Sequence, residues 1–156
     1  VSQLIDDSDG QEIDPHQIQR YFAGRAEVTA FAVCDAVLAG DSSTAMERLR
    51  WALNTGVAPV LVTSAMANAF RGMGKYLEAR NSRMNQYDLA RHVGVPPWKI
   101  KDYSRNSRNW QVSGEAWAMR SIARADAEVK GAANDPEFAL EHMLLSVLAG
   151  DRTTRA

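Results

Sequence analysis

The sequence predicts an all-α fold, a bundle of about eight helices, and three observations predict it. Apolar residues recur at three- and four-residue steps along most of the chain. Cap and stop residues bracket those periods. No alternating apolar/polar run of convincing length marks a strand.

The elements follow in order. Asp14-Pro15 offers an N-cap with proline at the first helical position, and Gln17 completes a capping-box pattern. Gly24 is read as the end of that short helix. A second period holds Val28, Phe31, Cys34 and Leu38 and stops at Gly40. Asp41 caps a third helix with Met46, Leu49 and Leu53, ending before Gly56. "APVLVTSAMANAFRGMGKYLEARN" is the longest period: Leu61, Ala65, Ala69, Met73 and Leu77 recur every four residues, and Val62, Met66 and Phe70 widen the stripe. Asn85 opens a short helix closed by Gly94, and Pro96-Pro97 starts the next, with Trp98, Ile100 and Tyr103. Ser113 is the cap expected for a long helix carrying Ala118, Ile122, Ala125 and Val129, stopped by Gly131. Asp135-Pro136 repeats the cap-plus-proline device for a last helix running to about Gly150, with residues 151–156 as a frayed tail.

The chain has 156 residues, 46% of them apolar and 24% charged, which is the composition of an ordinary folded domain. It lacks any run of about 18 or more apolar residues, so no membrane span is expected. The N-terminus, "VSQLIDDSDGQEID", is acidic, has no initiator Met and lacks the order of a signal peptide; it reads as a cut inside a longer protein. The single cysteine, Cys34, sits among apolar neighbours, which predicts a buried thiol and fits a cytoplasmic location. Net charge is −1 but unevenly spread: residues 71–108 carry nine basic and three acidic side chains, a balance of +6. Such a segment is either a solvated basic face or a surface for phosphates or an acidic protein partner.

Several chemical motifs fail on inspection. "FRGMGKY" glances at a phosphate loop, but Ala69 stands where its first glycine belongs and Tyr76 where its hydroxyl residue belongs. His16, His92 and His142 are scattered over separate helices without metal-site spacing. Asp126 and Lys130 form an i,i+4 pair that supports a helix. No nucleophile–base set is visible, so no catalytic residue, metal or cofactor is expected. Ala90, Gly94 and Ile100 in "LARHVGVPPWKI" have the spacing of a helix-turn-helix. Those three residues account for packing of two helices. The exposed positions that would read bases include Lys99, Asp102 and Arg105, with no readout cluster near the helix start, and two prolines remove donors from the end that would meet phosphate. A DNA-binding regulatory domain over residues 85–108 is therefore the alternative reading.

The ordered set "FAVCDAVLAGD", "AMERLRWAL", the "GVAP" turn, a long helix with Arg71, "LARHVGVPPWKIKDYSR" and "IARADAEVKGAANDPEFALEHML" resembles the bacterial DNA polymerase III delta subunits, with an actinobacterial cast to "VPPWKIK". The resemblance runs from about Asp14 to Gly150. It implies a fragment without catalytic activity of its own, belonging to the clamp loader of the polymerase III holoenzyme, in the cytoplasm at the replisome. Residues 1–26 would be a remnant of the helical lid domain, 27–150 the C-terminal helical collar and 151–156 the tail. The implied role is assembly, with delta prime and the tau or gamma subunits as partners. The sliding clamp would be reached only through an N-terminal domain that is missing here. Weak, non-specific DNA contact is compatible with it.

"MLLSVLA", residues 143–149, is apolar nearly all the way round, which fits either a partner-facing helix or a central core helix. The resemblance favours partner contact by Met143, Leu144, Val147 and Leu148. The loop "KGAAND", with Lys130 and Asn134, is placed at the DNA chamber by the resemblance alone.

Overall fold

Among the described residues there are seven α-helices: α1 Pro15–Leu38, α2 Ser42–Asn54, α3 Pro59–Ala79, α4 Gln86–Val93, α5 Ile100–Asn106, α6 Val112–Lys130 and α7 Pro136–Thr154. Short 3₁₀ turns, Pro97–Lys99 and Ser107–Asn109, flank α5. The structure, a computed structural model, describes residues 14–131 and 135–154, the last four of these by backbone alone. Among the described residues there is no strand.

The helix signals act largely as expected. The Asp14 carboxylate accepts from the His16 amide at 3.0 Å, Asp41 from Thr44 at 3.1 Å, Asn85 from Asp88 at 2.9 Å and Asp135 from Phe138 at 3.1 Å. Each satisfies an amide that the first turn leaves without a helical partner. Gly40, Gly56 and Gly94 end α1, α2 and α4 with φ of 75, 90 and 87°, a conformation in which other L-residues are strained. After Gly40 the Asp41 amide returns to the Ala36 carbonyl at 3.0 Å, closing the helix end with a second hydrogen bond.

Three boundaries differ from expectation. Gly24 does not end a helix: α1 runs unbroken from Pro15 to Leu38, because Arg25, Ala26 and Glu27 continue the helix and no cap follows the glycine. The division expected between residues 26 and 27 thus falls inside one helix. Ser113 lies in the first turn of α6, and Gln111 occupies the cap position without a side-chain hydrogen bond. The last helix continues past Gly150 to Thr154.

α3 is the centre of the bundle. It packs against α1, α4, α5, α6 and α7, while α2 bridges α1 and α7. This position explains its broad apolar stripe: Val62, Met66, Phe70 and Met73 are fully buried. Trp110, in the segment between α5 and α6, locks the halves together. Its ring meets Phe70 edge-on at 4.8 Å, and its indole N–H donates to the Leu38 carbonyl at 2.9 Å. That carbonyl belongs to the last turn of α1, where no helical amide remains to bond it. The first turns of α1 are largely exposed; the first fully buried side chain of this helix is Ala30, and Phe22 and Val28 are exposed.

The two glycines of "FRGMGKY" sit inside α3 and serve close packing. A Cβ on Gly72 would come within 2.6 Å of the Tyr103 hydroxyl, and one on Gly74 within 3.0 Å of the Glu115 carboxylate. The helix-propensity cost of each, about 1 kcal/mol relative to alanine, is offset by bringing α5 and α6 onto α3.

Candidate assembly face and basic cleft

α6 and α7 pack along each other over most of their length. α6 turns Ala118, Ile122 and Ala125 inward. α7 turns Ala139, Leu140, Met143, Leu144, Val147 and Leu148 inward, all of them buried. These residues fall at successive i, i+1, i+4, i+5 positions, a face two side chains wide. The apolar run "MLLSVLA" is therefore mostly a core face. Met143, Leu144, Val147 and Leu148, expected at a partner surface, fill the interior of this chain, because α7 lies against α6, α2, α3 and α1 at once.

The outer face of the same hairpin carries other apolar residues. Phe138 is 66% exposed, Leu145 54% and Trp117 44%. Phe138, His142 and Leu145 lie on one side of α7 at steps of four and three, and the Phe138 and His142 rings stack at 6.0 Å. Trp117 is exposed on α6 of the same hairpin, where its indole N–H donates to the Ser146 carbonyl at 2.9 Å. Arg124 of α6 reaches the His142 ring at 3.3 Å. Phe138, Leu145 and Trp117 stand between the dense core positions, so the apolar periodicity does not single them out. The available signal was that Phe138 and Leu145, seven residues apart, share a helix face that the core stripe does not use.

Lys130 is exposed at the end of α6 and is paired along its own helix. Its ammonium donates to Asp126 at 2.6 Å, and the Thr63 hydroxyl donates to the other oxygen of that carboxylate at 2.7 Å. Both hydrogen bonds, Lys130 first, hold the Asp126 carboxyl below its ordinary pKa. Asn134 lies outside the described residues.

The helix-turn-helix spacing is realised as two packed helices. Ala90 and Ile100 are buried, and Gly94 takes the left-handed turn between them. The Gln86 amide donates to the Pro97 carbonyl at 2.9 Å and ties the start of α4 to the turn. α5 is only seven residues long and buries Ile100 and Tyr103. Lys101 and Arg105 of α5 and Arg108 of the following turn are exposed, with Arg105 bound to Asp102 at 2.8 Å.

Between this unit, α1 and α3 opens a cleft of about 670 Å³. Leu38, Val93 and Cys34 form part of its lining, and all three are buried. Burial, with a smaller contribution from the Asp35 carboxylate, pushes the Cys34 thiol up to about 12, so it stays protonated and unreactive at neutral pH. Among the described residues, no group of three or more His, Cys, Asp or Glu is placed to hold a metal ion. No helix among them is long and apolar enough to cross a membrane.

Fold and surfaces together define an all-α bundle that leaves apolar side chains exposed on its terminal hairpin and a cleft beside its central helix. The chain belongs to the family described as the DNA polymerase III delta subunit, C-terminal domain, whose model matches residues 27–147. Among solved structures it is similar to the Bacillus subtilis DNA clamp loader delta protein (YqeN), with a TM-score of 0.68 and 18% identity. That similarity, which at this identity speaks for the fold, covers 80% of this chain and 37% of the other, so the chain spans well under half of that relative's length. No curated protein matches the chain.

Proposed function

We propose that this chain is the collar of a clamp-loader delta subunit and assembles through the outer face of α6 and α7 with the collars of delta prime and the tau or gamma subunits. The observation that carries the reading is the family match over residues 27–147. The exposed Trp117, Phe138 and Leu145 of this hairpin support it, since burying one such side chain contributes roughly 1.5–3 kcal/mol. In this reading the whole subunit serves loading of the sliding clamp onto primed DNA, and contact with the clamp belongs to parts of the protein outside this chain. The collar supplies assembly and no catalytic step.

The test separates interface from core on one helix. Phe138→Asp and Leu145→Asp change exposed side chains and are expected to retain the helical circular dichroism spectrum and to lose co-elution with delta prime and tau. Leu144→Asp buries a charge in the core and is expected to unfold the chain. Unchanged co-elution of both folded variants would move the assembly surface elsewhere.

A further inference from the structure

We propose a second docking site, apart from the assembly face: the cleft between α1, α3 and the α4–α5 unit takes an acidic peptide segment of a partner protein. One large apolar side chain of that segment sits at Phe31 and Trp98, and its neighbouring carboxylates meet Arg71, Lys75 and Lys99. The cleft volume of about 670 Å³ falls within the range of ligand clefts, about 300–1,000 Å³. Phe31 is 45% and Trp98 68% exposed, and both line the opening. Two large aromatics left open to water beside a buried apolar floor offer an anchor position of the kind that dominates binding energy.

Charge decides the occupant. Among the described residues, three cations line the cleft. The Lys99 ammonium is carried over the Phe31 ring, 5.7 Å from its centroid, and the Arg71 guanidinium donates to the neutral Asn68 side chain at 3.1 Å. Two carboxylates also line it, Asp35 and Asp102, and Asp102 is already bound to Arg105. Among the described residues the balance is positive at an apolar opening. A nucleic acid strand brings a phosphate with every nucleotide and would have to pass both carboxylates. A peptide places its carboxylates only where the cations stand and fills the apolar floor with a side chain, so the lining favours peptide.

The experiment displays short random peptides to the immobilised full chain and measures the enriched ones by fluorescence anisotropy. The expected result is enrichment of Asp or Glu beside Phe, Trp, Leu or Ile. Affinity should fall about tenfold or more in Lys75→Glu/Lys99→Glu, as for loss of complementary charge, and should stay unchanged in Lys101→Glu/Arg108→Glu, two exposed positions that do not line the cleft. Replacing the apolar residue of the peptide by Ala should weaken binding similarly. Lys75→Gln/Lys99→Gln, which removes charge without reversing it, gives an intermediate loss and guards against misfolding of the reversed pair. No enrichment, enrichment without acidic residues, or affinity indifferent to Lys75 and Lys99 would overturn the proposal. So would oligo-dT that depends on those two lysines while no acidic peptide binds. Assembly with delta prime and tau is read separately through Phe138 and Leu145, so either idea can fail alone.

Discussion

Glu115 is the carboxylate that the bundle holds at a cost. It stands in the first turn of α6, facing α3 at Gly74, and partial burial together with the nearby Glu78 raises its pKa above the ordinary value. The folded state therefore binds this proton more tightly than the unfolded chain does. Its contribution is most favourable below about pH 4.5 and declines as pH rises through the raised folded value. Glu115→Gln is expected to increase the urea midpoint at pH 7 and to match the parent once Glu115 is protonated. Asp126 has the opposite sign: Lys130 and Thr63 lower its pKa, so its contribution is present above the unfolded value and is lost as pH falls through the folded one. Asp126→Asn should lower the midpoint at pH 7 and converge with the parent in acid. A pair of urea titrations at each pH checks both, and a Glu115→Gln variant less stable than the parent at pH 7 would refute the assigned sign.

Glycines show at the scale of the element what could and could not be read from the sequence. Gly40, Gly56 and Gly94 are each followed within three residues by a new start signal: Asp41, Pro59 and Pro96-Pro97. Gly24 is followed by Arg25-Ala26-Glu27, all residues a helix accepts, and the helix runs on. That distinction was present in the sequence. The role of Gly150 was not, because it depends on Trp117, which comes from another helix: a Cβ on Gly150 would overlap the indole that hydrogen-bonds the Ser146 carbonyl. The two positions should respond oppositely to alanine. Gly24→Ala meets nothing within 4 Å and should gain about 0.5–1 kcal/mol of local helix stability, read as slower amide exchange in the exposed first turns of α1. Gly150→Ala gains the same propensity and must displace a ring, an overpacking cost of about 1–3 kcal/mol, so thermal unfolding should move to lower temperature. An increase in Tm for Gly150→Ala would show that Trp117 moves aside freely.

Over the whole molecule, the all-α class and the wide apolar stripe of α3 were legible because periodicity reports which side of a helix is buried. The candidate surfaces were less so, because periodicity does not say how many neighbours a helix has. Four neighbours around α7 turn Met143, Leu144, Val147 and Leu148 into core and leave Phe138 and Leu145 outside. The charge excess of residues 71–108 was visible, but its division between a cleft and an outer face needed the fold. That division makes a last prediction possible. Lys101 and Arg105 of α5 and Arg108 of the turn after it are exposed and do not line the cleft. Arg105 is already engaged by Asp102, so two of the three meet a phosphate without breaking an ion pair. The expected DNA contact is weak, without sequence preference, and has a slope of log K against log salt of roughly −2 to −3, set by two or three neutralised phosphates. The buried Ile100 and Tyr103 and the two prolines before α5 leave too little exposed helix start to read bases. Anisotropy titrations on random duplex DNA at several salt concentrations measure the slope, and Lys101→Glu/Arg108→Glu should flatten it. A single consensus site from a random-sequence selection would instead establish α4–α5 as a base-reading unit.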